Sequence, residues 1–540
     1  MEIDKIKMEA KKSAANIFWD SADRFPDNLA LWVKGNEYNY ADLRQRSLKI
    51  ASAFSNNEGD FFGEHLAILG NKGLGSYCGI IAGLLVGMIY MPLSPRFPVE
   101  RNIFMCRKVE AKGLIVETEF CDIARDVLSQ FYQRIVVVFP ENDDLPNWIS
   151  DFPQHRFFCS KDLVESKTAS PHSNLISESG AYNLFTSGST GNPKSVLVTH
   201  GNLLSYLKNV GDLIEITPDD KCTQLFDHTF DPSVHDMFFC WQVGAALFSL
   251  PSQSASLAGR LVSELGLTAW FSVPNTAALL KARPNSFSSL RYSLFIGEAL
   301  TVSLVESWSK AAPNSILLNL YGPTEATIAL TAFKYEKGGN KDSFEEMAPI
   351  GWPFKEQLVC VVDQDLLPVK KNETGELCLS GSQVTHGYYR DEALTRKKFI
   401  PLPHRNPDII WYRTGDLVHW DETKGLIFHG RADRQVKIRG FRAELSEIET
   451  WIKKIAETEF VAVVEIPAKI NEGILGTVAF VNHSSKGEME IIQYCKKRLP
   501  DYMVPEKVFF IDPFPMNVAG KVNHKELKGL AYEWKKNEEV

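Results

Sequence analysis

Apolar and polar positions alternate along most of the chain in a way that predicts layers of strands and helices. Short β-rich runs (HLAILG, GLIVET, RIVVVF, TAWFSV, YSLFIG and SILLNLYG) recur between amphipathic helical patterns up to about residue 430. Such alternation is typical of α/β folds built on largely parallel sheets. Residues 77–93 are the most apolar stretch, but with three glycines they fall short of a membrane-spanning helix. They predict a buried helix that runs into a strand.

The pattern changes twice toward the C-terminus. Between about residues 344 and 430, short strands with close turns (QLVCVVD, TGELCLSG, GLIFHG) predict a small β-rich unit. Beyond it, the helix AELSEIETWIKKI, the strands FVAVVEI and ILGTVAFVN and the helix MEIIQYCKKRL predict a compact α+β domain. The predicted fold is therefore α/β. We expect a large N-terminal core of layered sheets over residues 1–432, which includes the β-rich unit, and a small mobile α+β domain over residues 433–540.

Composition narrows the classes of function. A chain of 540 residues is too long for one core, and its net charge of −8 gives no general attraction to nucleic acid or anionic membrane. Its nine cysteines have no zinc-like spacing, which favours reduced thiols. The N-terminus lacks the apolar region of a signal peptide. We expect a soluble cytoplasmic protein without nucleic-acid or membrane partners.

A run of hydrogen-bonding residues, TSGSTGNPK, follows the apolar stretch AYNLF. A strand followed by glycines and hydroxyl residues makes a loop whose N–H groups converge on an anion. The run is not a Walker A loop, because Gly188 and Gly191 are three apart and Lys194 does not directly follow the second glycine. A plain surface turn fits the same composition equally well.

Longer segments resolve that choice, because they resemble the adenylate-forming superfamily of acyl-CoA synthetases, luciferases and peptide synthetase adenylation domains. LFTSGSTGNPKSVLVTH resembles the phosphate loop of that family. In the family's order come YNYADLRQRSLKIASAF and LLVGMIYMPLSPRFPVERNIFM before it, and NLYGPTEATI, GELCLSGSQVTHGYYRDEALTRKKF, WYRTGDL, GRADRQVKIRGFRAELSEIE and NVAGKVNHKEL after it. The resemblance implies that a carboxylate is joined to the α-phosphate of ATP, with release of pyrophosphate, and that a thiol then takes the acyl group.

The resemblance also implies roles for matched residues, with ATP and Mg²⁺ as partners. Glu325 matches the Mg²⁺ ligand, Thr324 would contact the α-phosphate, and Lys521 matches the catalytic lysine. The other matched ATP-binding residues are Thr186, Ser187, Gly188, Ser189, Thr190 and Gly191 for the phosphates, Lys194 for the leaving phosphates or as an anchor of the loop, Asn319 and Tyr321 for adenine, Asp416 and Arg431 for ribose, and Gly322.

Two further matches imply a conformational change between the two half-reactions. Asp433 matches the hinge about which the C-terminal domain rotates, and Gly440 matches the glycine that leaves room for the thiol arm. In the thiol-transfer arrangement, Lys521 would leave the site and the KIRG segment would approach the acyl-adenylate.

The acid is predicted from FDHTFDPSVHDMFFCW, which resembles the matching motif of amino-acid-activating members. Asp231 would pair with the substrate ammonium, although it could also cap the helix that starts at Pro232. The predicted pocket positions are mostly aliphatic, which favours a small or medium neutral amino acid such as alanine, serine, threonine, proline or valine. His235 could bond a substrate hydroxyl, but packing is slightly favoured. These positions are Pro232, His235, Ser272, Leu294, Ile296, Leu320, Ile328 and Ala329.

Departures from the family pattern and alternatives complete the prediction. Ser195 stands where most relatives carry glycine, and no GGxS-type carrier segment is present, so we expect phosphopantetheine to be supplied in trans by a separate carrier protein. The alternatives are a D-alanine:carrier ligase, an acyl- or aryl-CoA synthetase, and a catalytically silent nucleotide-binding regulator. The set Lys194, Glu325, Asp416 and Lys521 argues against the silent regulator.

Overall fold

A computed structural model describes residues 13–55, 60–164, 170–188, 191–251, 255–335, 346–458, 460–467, 474–516 and 522–538. Ser189, Thr190 and Lys521 lie outside the described residues. The helices are α1 Ala14–Arg24, α2 Tyr40–Ser55, α3 Leu74–Leu85, α4 Val99–Val109, α5 Cys121–Leu128, α6 His200–Gly211, α7 Pro232–Trp241, α8 Ala255–Leu265, α9 Pro274–Leu279, α10 Val302–Ala311, α11 Glu392–Lys398, α12 Leu445–Ala456, α13 Glu488–Lys496 and α14 His524–Glu538.

The strands follow the same chain order. They are β1 Leu29–Val33, β2 Asn36–Asn39, β3 His65–Leu69, β4 Ile89–Leu93, β5 Gly113–Val116, β6 Val136–Phe139, β7 Arg156–Cys159, β8 Gly180–Thr186, β9 Lys194–Thr199, β10 Lys221–Gln224, β11 Ala246–Ser249, β12 Ala269–Ser272, β13 Tyr292–Phe295, β14 Ile316–Tyr321, β15 Thr331–Tyr335, β16 Trp352–Pro353, β17 Leu358–Val362, β18 Gly375–Ser380, β19 Phe399–Pro401, β20 Ile410–Asp421, β21 Gly425–Arg431, β22 Gln435–Ile438, β23 Phe441–Glu444, β24 Val461–Pro467, β25 Ile474–Val481 and β26 Lys507–Phe510.

Two large sheets form the N-terminal part of the molecule. Among the described residues, one sheet has nine strands in the order β16-β15-β14-β13-β12-β10-β11-β1-β2, and the other has seven in the order β7-β6-β5-β3-β4-β8-β9. Neighbouring strands in the middle of each sheet are parallel, and the antiparallel pairs lie toward the edges. The largest hydrophobic core contains side chains from both sheets and from helices α1–α3, α6 and α7. The helices therefore lie between two sheets, as the alternating sequence pattern predicts.

Two smaller sheets complete the described fold. Strands β17 to β21 form the β-rich unit, and β22 to β26 form a C-terminal sheet that packs against α12, α13 and α14. The predicted α/β class, with a large N-terminal domain and a smaller C-terminal one, is confirmed. One boundary differs: α12 begins at Leu445, because Ala443 and Glu444 continue strand β23. None of the helices that the structure describes is both long and apolar enough to cross a membrane.

Candidate active site

A cavity of about 80 Å³ lies where strands of both large sheets reach their carboxyl ends. We call it the small cavity. The loops after β8, β13 and β14 contribute to it, since the carboxyl ends of parallel strands are where ligand-binding loops gather in α/β folds. Its lining includes Thr186, Ser187, Asp231, Pro232, Ile296, Thr324, Ile328, Lys437, Gly440 and Arg442. Side chains from the N-terminal and C-terminal parts of the chain therefore share one cavity.

Asp231 lies at the start of α7 and is 8% exposed. Its side chain makes no capping hydrogen bond with that helix. One carboxylate oxygen, Oδ2, is buried without a hydrogen-bond partner among the described residues. Burial raises the pKa of Asp231 to about 6, against the opposing effects of the Thr324 hydroxyl and the Ile328 N–H. A buried carboxylate with an unmet oxygen is suited to a cationic ligand.

Strained backbone forms the wall of the small cavity next to Asp231. Thr327 and Ile328 have φ of 55° and 71°, a left-handed conformation that β-branched residues rarely adopt. The Thr327 hydroxyl donates to the Gln383 carbonyl at 2.6 Å, and the Gln383 amide donates to the Ala329 carbonyl at 2.6 Å. Gln383 thus holds this strained turn, which places Ile328 at the cavity.

His235 does not line the small cavity. Its Nδ1 lies 2.9 Å from the Tyr206 hydroxyl. Its ring stacks on the Phe239 ring with the centroids 4.8 Å apart and contacts the edge of the Phe271 ring with the centroids 4.6 Å apart. Burial lowers the pKa of His235 to about 3, so the ring is neutral at physiological pH. Together with Leu294 it borders a separate void of about 20 Å³. His235 and Leu294, both predicted as pocket positions, therefore lie away from the small cavity in this structure, where His235 packs against aromatic rings.

Ser272 requires a correction, because the structure places its side chain away from the cavity. The Trp270 indole N–H donates to Ser272 Oγ at 2.8 Å, so these side chains share one face of β12. Phe271, between them in sequence, projects to the opposite face and contacts His235. Alternate residues of a strand point to opposite faces, so Ser272 cannot share the Asp231 side of the sheet with Phe271.

The other predicted positions lie within strand β14 or directly after it. Gly322 and Thr324 line the small cavity, and a Cβ at Gly322 would lie 2.6 Å from Ala329 Cα, so only glycine fits there without a shift. Leu320 lines a second, large cavity of about 480 Å³. Asn319 lines it too, and its amide donates to the Pro349 carbonyl at 2.8 Å.

Asp416 lies where the two cavities meet, and both of its oxygens accept hydrogen bonds. The Tyr321 hydroxyl donates to one and the Arg431 guanidinium to the other. Arg431 also pairs with Asp433 at 2.7 Å. Asp433 in turn accepts from the Gln435 N–H at 3.2 Å, so it links the end of β21 to the start of β22. A carboxylate oriented in this way suits a ligand with adjacent hydroxyl groups.

Glu325 is fully buried and ionised. The Tyr388 hydroxyl donates to its Oε1 at 2.7 Å, and Arg442 Nη1 donates to its Oε2 at 2.8 Å. Burial alone would raise the pKa of Glu325, but the Arg442 and Lys194 cations lower it to about 2. A permanently charged carboxylate oxygen is a ligand that Mg²⁺ accepts, usually with phosphates and water completing the shell. Glu325 therefore fits the predicted magnesium role chemically.

The described part of the phosphate loop contacts the C-terminal domain. The Gly188 N–H donates to Glu447 Oε2 at 3.1 Å, and the Lys194 ammonium lies 3.0 Å from Glu444 Oε1. The Ser187 hydroxyl donates to the backbone carbonyl of Arg442 at 3.0 Å. The Thr186 hydroxyl is buried without a hydrogen-bond partner among the described residues. Gly191 has φ of 85°, which glycine accepts freely.

Arg442 and Tyr388 were given no role from the sequence, and Lys437 was predicted only as part of the KIRG segment. Lys437 lines both cavities, and its ammonium makes no hydrogen bond or ion pair with the residues that the structure describes. Arg442 and Tyr388 hold Glu325. All three lie inside matched motifs, so the motif matches were the signal that could have indicated them. Gly440, which was predicted, lines the small cavity with φ of 84°, and a Cβ there would lie 2.5 Å from Val273 Cγ1.

Comparison with known proteins defines the class. The AMP-binding enzyme family matches residues 18–389, and the AMP-binding enzyme C-terminal domain matches residues 447–521. The chain therefore belongs to the AMP-binding enzyme family, which consists of adenylate-forming ligases that use ATP. Its curated relatives include the dimodular nonribosomal peptide synthase of Bacillus subtilis, to which it is 28% identical over 513 residues, with 93% of this chain and 21% of that protein covered.

Two curated relatives and one solved structure illustrate the similarity. The chain is 29% identical over 532 residues to surfactin synthase subunit 2 of Bacillus subtilis. The alignment covers 97% of this chain and 14% of that protein. It is 31% identical over 535 residues to delta-poly-L-ornithine synthetase of Acinetobacter baumannii, with 95% of this chain and 36% of that protein covered. The chain thus spans a minor part of these relatives. The Vibrio cholerae adenylation domain AlmE, solved with glycyl-adenosine-5'-phosphate, has a TM-score of 0.85 at 29% identity and covers 96% of this chain and 97% of its own.

Proposed function

We propose that this chain activates a small or medium neutral amino acid as aminoacyl-AMP and transfers it to the phosphopantetheine thiol of a separate carrier protein. The observation that carries the proposal is the unmet, buried oxygen of Asp231 in a cavity of only about 80 Å³. An ammonium satisfies that oxygen, whereas an acid without an amine leaves it buried and unpaired. The glycyl adenylate in the AlmE structure is consistent with a small amino acid.

In the first half-reaction, a substrate carboxylate oxygen attacks the α-phosphorus of ATP and pyrophosphate leaves. We assign Thr324 to the α-phosphate, the 186–194 loop to the leaving phosphates, and Lys521 to the charge that forms between carboxylate and phosphate. Glu325 would hold Mg²⁺, which neutralises phosphate charge when bound. Asn319, Tyr321, Asp416 and Arg431 would hold the nucleoside.

In the second half-reaction, the thiol sulfur attacks the acyl carbon and AMP leaves. Gly440 borders the small cavity, and Val273 fills the space that a side chain there would need, so glycine lets this segment lie close to the cavity wall. We assign this wall to the passage of the thiol arm. Asp433 is assigned to the hinge between the two half-reactions, with the domain boundary at residues 432 and 433.

Amino-acid-dependent exchange of pyrophosphate into ATP tests the acid. The panel contains D- and L-amino acids with side chains from hydrogen to phenyl, their matched fatty acids without the amine, and aryl acids. We expect exchange only with the smaller neutral amino acids. Stimulation by the acids that lack an amine would contradict the assignment of Asp231, and no exchange with any acid would contradict the enzyme proposal.

The variant Asp433→Pro tests the hinge. Because proline restricts the backbone rotation, we expect a loss of about tenfold or more in thioester formation on a phosphopantetheine-loaded carrier and a smaller loss in exchange. The control is Asn147→Pro, at the exposed first residue of the short 3-10 helix Asn147–Asp151, a position that accepts proline. Equal losses in the two half-reactions of Asp433→Pro would contradict the hinge role.

A further inference from the structure

One short C-terminal segment contacts four of the residues that are assigned above to the leaving phosphates or to Mg²⁺, namely Ser187, Gly188, Lys194 and Glu325. The segment comprises residues 442–447, which run from the end of β23 into α12. Glu447 accepts from the Gly188 N–H at 3.1 Å, and Glu444 pairs with Lys194 at 3.0 Å. We call this the 442–447 segment.

The charges of the segment follow a definite order. The Glu447 and Glu444 carboxylates bind the Gly188 N–H and the Lys194 ammonium, which are assigned to phosphate oxygens. Arg442 instead pairs at 2.8 Å with Glu325, the carboxylate assigned to Mg²⁺. Anions thus stand at phosphate positions and a cation at the metal position. Magnesium pyrophosphate presents the same sequence of charges to the same groups.

These contacts are largely buried, and they cannot coexist with phosphates bound to the same groups. The side chains of Glu447 and Glu325 are fully buried, and those of Lys194, Glu444 and Arg442 are 8%, 11% and 15% exposed. A phosphate oxygen that bound the Gly188 N–H would have to displace the Glu447 carboxylate. Two anions cannot share one N–H without strong repulsion at low dielectric.

Glu447 is also anchored on the N-terminal side. Its other oxygen, Oε1, pairs with Arg101 of α4 at 2.9 Å, and the side chain of Arg101 is 5% exposed. The Glu447 carboxylate therefore bridges α4 and the phosphate loop. Its position is fixed by two N-terminal elements at once, which a solvated surface carboxylate would not be.

From this geometry we infer that the 442–447 segment is an internal stand-in for magnesium pyrophosphate. Resting on the function proposed above, the segment occupies the phosphate site once pyrophosphate has left, and thereby positions Gly440 and Lys437 at the small cavity for thiol transfer. Pyrophosphate and this domain arrangement compete for one site. By linkage, weakening the segment strengthens pyrophosphate binding.

Calorimetric titration of the full chain with pyrophosphate in excess Mg²⁺ tests this competition without a known amino acid or carrier. We expect the double variant Glu444→Gln/Glu447→Gln to bind pyrophosphate about fivefold or more tightly than the wild type. Glu457→Gln, which changes an exposed carboxylate at the end of the same helix, is the matched control and should bind as the wild type does.

Hydrogen exchange on the wild type gives a second readout that does not depend on the variants folding. Added magnesium pyrophosphate should raise the exchange of amides in α12 and in the Arg101 turn of α4, because their contact is broken. Unchanged affinity in a folded double variant, or pyrophosphate binding without any rise in exchange, would overturn the inference. Absence of pyrophosphate binding would overturn it too, and amino-acid-dependent exchange then shows separately whether the proposed function stands.

Discussion

The two ends of the site differ in how their polar groups are satisfied. At the acid end, Asp231 lies against the strained Ile328 turn and keeps one buried oxygen without a described partner. At the phosphate end, Gly188, Lys194 and Glu325 each have a partner in the C-terminal domain, and Glu325 also accepts from Tyr388. With the roles proposed above, the group that recognises the acid is in place within the N-terminal domain before any ligand binds. The groups proposed to bind phosphates contact the C-terminal domain here and would exchange those contacts for phosphate oxygens.

The largest expected effect tests the acid end. Asp231→Asn keeps the size of the side chain but removes the charge that we assign to the substrate ammonium. We expect the kcat/KM for the amino acid in pyrophosphate exchange to fall by about two to four orders of magnitude, because losing one partner of a buried ion pair costs about 3–5 kcal/mol. A fall of less than tenfold would mean that the ammonium is held elsewhere.

The next largest effect tests the phosphate end. Glu325→Gln removes a fully buried charge that we assign to Mg²⁺, and it also leaves Arg442 without its anion. We expect exchange to fall by about a hundredfold, in keeping with the loss of one electrostatic group at a reacting centre, and the Mg²⁺ concentration for half-maximal rate to rise. If that concentration does not move, Glu325 supports Arg442 only.

The pH dependence separates the two ends. The pKa of Asp231 is raised to about 6 and that of Glu325 is lowered to about 2, so only Asp231 gains a proton between pH 7 and pH 5. Protonation removes the charge that we assign to the substrate ammonium. The KM for the amino acid should rise about tenfold per pH unit below about pH 6, while the KM for ATP changes little. A parallel rise in both constants would contradict this separation.

The smallest effect concerns the side-chain pocket. Ile296→Ala enlarges the small cavity, and we expect exchange with valine relative to glycine to increase about tenfold. Ser272→Ala is the matched control, since its side chain lies on the other face of β12. A change of preference in Ser272→Ala would restore Ser272 to the pocket and overturn the correction.

Local sequence signals predicted the strands and the position of Asp231, because alternation and motif order depend on neighbours in sequence. Ser272 was misplaced because the flanking match is loose, and a shift of one residue in a strand moves a side chain to the opposite face. The partners of Glu325 were missed for another reason. Tyr388 and Arg442 lie 63 and 117 residues away, and no local pattern reports such a contact.

The strained turn at Thr327 and Ile328 has a consequence for recombining such enzymes. The Thr327 hydroxyl donates to the backbone carbonyl of Gln383, which follows strand β18 of the β-rich unit. The Asn209 amide of α6 in turn donates to the Gln383 side chain at 2.8 Å. A graft that transplants only the pocket residues would therefore carry the side chain of Ile328 without the clamp that sets its backbone. Segments for chimeras should be cut so that Gln383 and Asn209 travel together with the turn.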